Sequence, residues 1–336
     1  MSSILVTGGA GFIGSHTCVC LLKKGHDVIV VDNLSNSQIE VVEAIEKIAD
    51  RKIRFYEGDV TDRPSLEHVF KDNSIDAVIH FAGLKAVKES IEKPLLYYSN
   101  NIVSTLMLCQ VMQAFSCKTF VYSSSATVYG LENISPMHEE MAVSAINPYG
   151  QSKLMQEQIL RDLAISDPDW RIMVLRYFNP VGAHESGLIG ENPNGIPNNL
   201  MPYICNVALG KAEYLNIFGN DYDTSDGTGI RDYIHVMDLA EGHVLALDYV
   251  SQHEGIDIIN LGTGRGTSVL ELLKAFEDAT GKSIPKKFVS RRDGDIPSCY
   301  ADVKKAEKIL KWTPLRSLSD MCKDSWRFSL NSQLNK

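Results

Sequence analysis

The chain has 336 residues, enough to bury a large core as one large domain or two closely packed ones. Hydrophobic residues make up 44% and charged residues 22%, and the net charge of −9 excludes the general affinity for nucleic acid or anionic membrane that a basic field would give. The opening Met1–Val6 lacks a basic region leading into a long apolar core, and no apolar run approaches the ~18 residues of a membrane span, so a cytoplasmic location is expected. The seven cysteines are scattered without metal-ligand spacing and read as small apolar residues of a reducing compartment, with no metal site.

From the N-terminus, short apolar runs alternate with helical patterns. Strands are predicted at Ile4–Thr7, Asp27–Asp32, Ile53–Asp59, Ala77–Ala82, Thr119–Ser123 and Arg171–Tyr177, all read as buried on both faces. Helices are predicted between them, among them Gly14–Lys24, Leu95–Phe115 and Tyr149–Ala164. Strands alternating with helices predict an α/β fold, a Rossmann-type doubly wound parallel sheet with helices on both faces. After Asn179 the pattern breaks, and Gly182–Pro202 has a loop composition. Helical patterns return at Met201–Leu209, Met237–Tyr249 and Val269–Ala279, with strand-like pieces at Tyr214–Phe218 and Ile256–Leu261. The expected organisation is a dinucleotide-binding domain over 1–179 and a smaller mixed α/β substrate domain over 180–336, some of which returns to the first. Ligands of open α/β sheets sit at the carboxyl ends of the strands.

The first such end carries Gly8, Gly9, Gly11 and Gly14, which satisfy both G-x-x-G-x-x-G and G-x-G-x-x-G. A lone glycine pattern is weak, but this one follows an apolar strand, opens a helix and precedes a second strand ending in Asp32. Glycines allow a tight turn and let backbone approach a pyrophosphate, which the helix N-terminus stabilises. A carboxylate at Asp32 accepts from an adenosine ribose and repels a 2′-phosphate, so NAD rather than NADP is expected. Asp59-Val60 closes the third strand, within reach of the adenine. Phe81-Ala82-Gly83 follows the fourth, with backbone suited to lie beside the cofactor.

Tyr149 and Lys153 stand four apart on one helical face, where an ammonium favours the phenolate of a neighbouring tyrosine. Tyr300 and Lys304 share that spacing, but only Tyr149 follows a strand ending in serines, Ser123-Ser124-Ser125. An exposed helix pair is the alternative for the first, and the preferred reading for the second.

Together these features resemble the extended short-chain dehydrogenase/reductase superfamily, and within it the UDP-glucose (UDP-galactose) 4-epimerase family. The likeness runs from Ile4 to about Trp312 through strings such as His80–Val87, Ser123–Gly130, Leu175–His184, Gly195–Pro202 and Gly227–Leu239. It implies tightly bound NAD that accepts a hydride from C4 of a UDP-hexose and returns it to the other face, with no net redox. Tyr149 would take the 4-hydroxyl proton, Ser125 would hydrogen-bond the same oxygen, and Lys153 would hold the nicotinamide ribose. The resemblance also implies cofactor contacts at Phe12, Ile13, Asp32, Asn33, Asn36, Ser37, Asp59, Val60, Phe81, Ala82, Gly83, Lys85, Asn100 and Phe178. On spacing alone, Asn100 reads as a turn residue and Lys85 as a surface lysine.

For the substrate, the resemblance implies Arg231 and Arg292 on the diphosphate, where a planar guanidinium donates paired hydrogen bonds. It places Asn179, Asn199 and Leu200 along the diphosphate and sugar, Asn216 and Phe218 on the uracil, and Asp295 on the ribose. At Cys299 the family carries either a bulky Tyr or a smaller residue. A small one leaves room for a 2-acetamido group, so activity on UDP-GlcNAc/UDP-GalNAc is expected beside UDP-glucose/UDP-galactose; a merely packed cysteine is the alternative. A homodimer using Leu95–Phe115 and Tyr149–Ala164 is also implied. A nucleotide-sugar 4,6-dehydratase would need an acid–base pair after the strand serine, and Ala126-Thr127 stands there. A non-catalytic NAD-sensing protein tends to lose the Tyr or the Lys, and both are present.

Overall fold

The computed structural model describes the chain apart from Asn194, Ile196, Asn198, Asp293, Asn335 and Lys336 and the side chain of Leu334. The N-terminal part runs β1 (Ser3–Thr7), α1 (Phe12–Lys23), β2 (Asp27–Asp32), α2 (Glu40–Ala49), β3 (Arg54–Glu57), α3 (Arg63–Asp72) and β4 (Ala77–His80). It continues through α4 (Val87–Glu92), α5 (Pro94–Ala114), β5 (Thr119–Ser125), α6 (Pro148–Ser166) and β6 (Arg171–Tyr177). Proline opens α3, α5 and α6, where its missing N–H costs nothing.

The remaining elements are β7 (Asn179–Val181), α7 (Leu200–Ala208), β8 (Leu215–Phe218), β9 (Ile230–Arg231), β10 (Tyr233–His235), α8 (Val236–Val250) and β11 (Gly255–Leu261). They end with β12 (Thr267–Ser268), α9 (Val269–Thr280), β13 (Lys286–Val289), β14 (Ser298–Cys299), α10 (Lys304–Leu310) and α11 (Leu318–Leu334).

The main sheet has seven parallel strands in the order β11-β6-β5-β4-β1-β2-β3. Strand periodicity sends Ile4 and Val6 to one face and Leu5 to the other. The first face packs on Val19 and Leu22 of α1 and Val244 and Leu247 of α8. The second packs on Leu66 of α3, Leu108 and Met112 of α5 and Leu160 of α6. Each such side chain contributes roughly 1.5–3 kcal/mol when fully buried. The chain reverses direction across the sheet between β1 and β4, which opens a crevice at their carboxyl ends.

One sequence expectation needs correction. β3 is not buried on both faces: it is one of the two edge strands, with Arg54 and Glu57 exposed. The part of the second half that returns to the first is Ile256–Leu261, which lies in the main sheet beside β6, with α8 packed on α1. The chain therefore re-enters the first layer system over residues 236–261. A separate core joins α7, α9 and α11 through Ile204, Leu273, Phe276 and Met321, with the short sheets β10-β7, β12-β9-β14 and β13-β8 beside it. Among the described residues no helix is long and apolar enough to cross a membrane.

Candidate active site

The glycine turn is closed by contacts that admit no side chain. Gly8 has φ +69°, and a Cβ there would meet the Ala82 backbone nitrogen at 2.8 Å. A Cβ on Gly14 would lie 2.2 Å from the Gly8 carbonyl oxygen, so Gly14 is what lets α1 start against the turn. Gly11 caps α1 without a side-chain hydrogen bond, and no acidic residue occupies the first turn. This leaves an uncompensated helix N-terminus in a backbone-lined cradle, which fits a pyrophosphate. Phe12 and Ile13 are its first residues, half-buried.

At the end of β2, the Asp32 carboxylate accepts from Ala10 N at 3.0 Å, Leu34 N at 3.0 Å and the Ser37 hydroxyl at 2.8 Å. Two carboxylate oxygens have about four acceptor positions, so one remains for a ribose hydroxyl. Asn33 and Asn36 are exposed in the same turn, and Asn33 Nδ2 donates to Asp59 at 2.9 Å. Burial works to raise the Asp59 carboxyl, but hydrogen bonds from Thr61 and Asn33 hold it below its ordinary value. Val60 is buried beside it. Phe81, Ala82 and Gly83 continue β4 over the turn, with Phe81 N donating to Thr7 O at 3.0 Å. Asn100 is half-buried in α5. Lys85 is exposed and pairs with Glu191 at 3.1 Å.

Across the crevice, Ser125 ends β5 and Tyr149 and Lys153 lie in the first turns of α6, which Asn147 caps through Gly150 N at 2.9 Å. Ser125 Oγ accepts from Thr127 N and Thr127 Oγ1, at 3.3 and 3.0 Å, and its hydroxyl hydrogen-bonds the Tyr149 phenol. Lys153 Nζ donates to the Ser123 carbonyl at 2.8 Å and lies 6.0 Å from the Tyr149 ring centroid. Burial lowers the Lys153 ammonium to about 8, while Glu157 opposes the shift. The expected depression of the phenol is not present in the protein by itself: burial raises Tyr149, and only the Ser125 hydrogen bond lowers it. The second Y-x-x-x-K match does not lie on one helix, because Tyr300 precedes α10, which begins at Lys304.

The substrate candidates lie outside the main sheet, on the short strands and connecting segments of the later chain. Cys299 is the register partner of Arg231 in the β14–β9 pair, and it packs against the cluster of Val128 and Tyr129, just after β5, and Phe178, just after β6. Arg231 pairs with Asp295 at 2.9 Å, so an expected diphosphate ligand and an expected ribose ligand hold one another here. The Arg292 guanidinium lies 3.9 Å over the Phe218 ring. Asn216 and Phe218 are half-buried in β8, and Asn179 is exposed in β7. Asn199 caps α7 and donates to Glu191 at 2.5 Å, and Leu200 packs on the second core. Glu191 thus joins Lys85 on the cofactor side to Asn199 on the substrate side.

This geometry has close counterparts among known proteins. The family described as GDP-mannose 4,6 dehydratase matches residues 5–325. UDP-glucose 4-epimerase of Bacillus subtilis is 58% identical over 326 residues, 97% of this chain and 96% of that one. This chain belongs to the UDP-glucose 4-epimerase family. The crystal structure of the family member from Bifidobacterium longum, in complex with NAD+ and UDP, is 53% identical with a TM-score of 0.96 and covers 99% of both chains. The UDP-Glc/GlcNAc 4-epimerase of Campylobacter jejuni is 37% identical with a TM-score of 0.86, covering 98% of this chain and 100% of that one.

Within this family member, several side chains behind the crevice escaped the sequence reading. Glu157 and Arg176 form a bidentate pair, 2.9 and 2.6 Å, with both side chains 1% exposed. Asn101 donates to Ser152 Oγ at 3.0 Å and bonds both backbone groups of Leu84, tying the segment after β4 to α6. The buried Asp232 accepts from Thr263, Gly264 and Ala301, holding the loop after β11 to the strand of Arg231 and the end of β14. Only Glu157 carried a local signal, its place one helical turn beyond Lys153.

Proposed function

We propose that the protein is an NAD-dependent UDP-sugar 4-epimerase that interconverts UDP-glucose and UDP-galactose, and also UDP-GlcNAc and UDP-GalNAc, through a 4-keto intermediate. The observation that carries this reading is the convergence of Ser125, Tyr149 and Lys153 opposite a glycine cradle, with Ala126-Thr127 after the serine. The NAD+ and UDP complex of the Bifidobacterium relative supports the choice of ligands.

In this reading Gly8, Gly11, Gly14 and the α1 N-terminus hold the pyrophosphate of NAD, and Asp32 holds the adenosine ribose. Bound NAD supplies the hydride acceptor at C4 of the sugar and the hydride donor for the return. The Tyr149 phenolate oxygen takes the 4-hydroxyl proton and later gives it back. Ser125 donates to the same oxygen and keeps the proton on a short path. Lys153 carries an ammonium on the same helical face as the phenol, and in the loaded site that charge would favour the phenolate. Arg231 and Arg292 neutralise the diphosphate, Phe218 and Asn216 hold the uracil, and Asp295 holds the ribose. In this reading, diphosphate and uridine binding draw each arginine away from its internal contact.

The half-buried Cys299 has less bulk than a tyrosine would, which supports acceptance of an acetamido group if its side chain lines the sugar pocket, and the Campylobacter relative is named for both sugars. The domain reading assigns 1–179 to NAD and 180–336 to the UDP-sugar, with 236–261 serving the first. We also infer a cytoplasmic homodimer. Its proposed contact face carries exposed Ile91, Leu95, Leu96 and Met155 on α4, α5 and α6, which pack together.

The dehydratase description of the matching family gives the alternative a hearing, but water cannot leave C5 and C6 without an added acid and base. Incubation with each of four UDP-sugars, without added NAD, tests the proposal. Formation of the C4 epimer supports it, and loss of water from the sugar or an inert protein overturns it.

A further inference from the structure

Lys153 is buried, and groups from five elements surround it and the residues it touches. On its own helix, Tyr149 lies one turn before it and Glu157 one turn after. From β5, the Tyr122 ring centroid lies 5.0 Å from Nζ, beside the Ser123 carbonyl that Lys153 binds. His80 of β4 and Tyr177 and Arg176 of β6 stand behind, and His243 of α8 reaches Ser123 Oγ at 3.3 Å. Burial lowers His80 to about 3 and His243 to about 4, so both are neutral at pH 7. Burial raises Tyr122, Tyr149 and Tyr177, which are uncharged as well. Of these surroundings only Glu157 and Arg176 carry charge.

Those two are bound to each other, with Glu157 on the side of Lys153. The Ser124 hydroxyl donates to Glu157 Oε1 at 2.5 Å, and Ser124 is the residue before Ser125. A buried ion pair is weak evidence of a stabilising role, since well-packed apolar residues of similar volume often replace one without loss. A Leu–Met pair would lack the negative charge one turn from an ammonium that burial disfavours.

We propose that Glu157, held by Arg176, is a positioning residue that keeps Lys153 charged and, through Ser124, fixes the strand end that presents Ser125. The proposal deepens the epimerase reading and rests on it for the roles of Lys153 and Ser125.

The test compares Glu157→Gln, Glu157→Asp and the double variant Glu157→Leu/Arg176→Met. Loss of the negative charge favours neutral Lys153, so the alkaline limb of kcat/KM moves to lower pH, by about one unit or more. The limb moves in Glu157→Gln and in the double variant, even where the latter melts no lower than wild type, and returns with Glu157→Asp. A readout independent of turnover is NMR titration of the Lys153 ε-carbon in lysine-labelled protein, assigned with Lys153→Met. Its midpoint falls in the same variants. A lowered Tm with both limb and midpoint unmoved overturns the proposal, as does a double variant with the wild-type pH profile. If Glu157→Gln does not fold, the double variant and Glu157→Asp decide it. A wild-type protein that epimerises no UDP-sugar defeats the functional reading, and the NMR midpoints still decide the coupling of Glu157 to Lys153.

Discussion

Tyr149 and Lys153 sit within one helical turn of each other yet differ in what burial does to them: it raises the phenol and lowers the ammonium. Both shifts favour the uncharged forms, so proton transfer depends on keeping the ammonium. Lysine is charged below its pKa, and with Lys153 near 8 the ammonium is present at pH 7 and lost as pH rises through that value. Epimerisation is therefore expected to fall on the alkaline side of about pH 8, measured as kcat/KM against pH. Tyr149→Phe removes the proton carrier and is expected to cut turnover about 10²–10⁴-fold while bound NAD is retained. Cofactor loss alongside the rate would mean the phenol had been structural. At the proposed pocket wall, Cys299→Tyr is expected to lower kcat/KM for UDP-GlcNAc about 100-fold and to spare UDP-glucose. Parallel assays of both sugars check this, and an equal effect on both removes Cys299 from the specificity argument. The sequence marked these residues because each sits in a recognisable string. It could not mark the Arg231–Asp295 and Arg292–Phe218 contacts, since each joins segments more than 60 residues apart.

At the level of elements, the glycine turn is the most constrained local structure in the chain. Gly14→Ala would drive a methyl into the Gly8 carbonyl, and the backbone must shift to admit it. The expected cost is about 1–3 kcal/mol, seen as a lower Tm together with less copurifying NAD, by absorbance after denaturation. An unchanged Tm and cofactor content would show that the turn is looser than its contacts indicate. Most strands of the main sheet were readable because a parallel strand covered on both faces is a continuous apolar run, as in Asp27–Asp32. The two-residue strands β9, β12 and β14 offer no periodicity to read, and they exist through tertiary pairing alone. β3 failed as a buried strand because, at one edge of the sheet, its faces are only partly covered, with Arg54 and Glu57 exposed. The return of β11 to the main sheet was legible as a possibility only, because an apolar run does not say which strand it will pair with.

For the whole molecule, Glu191 joins Lys85, just after β4, to Asn199, at the start of α7. NAD held between these segments, as proposed, would be a retained catalyst and is expected to copurify at near one per chain. Its quantitative loss on dialysis would count against enclosure. Bound ligand also stabilises the fold in proportion to RT ln(1 + [L]/Kd), so stripping NAD is expected to lower Tm, read by calorimetry.

The return of residues 255–261 to the free side of β6 also bears on how the protein is made. During synthesis β6 emerges some eighty residues before its outer neighbour, leaving Arg171–Tyr177 with one unpaired hydrogen-bonding edge while the ribosome adds the intervening chain. A nascent chain halted before Gly255 would hold every residue of the proposed catalytic trio and of the glycine cradle, yet present an apolar strand edge open to other chains.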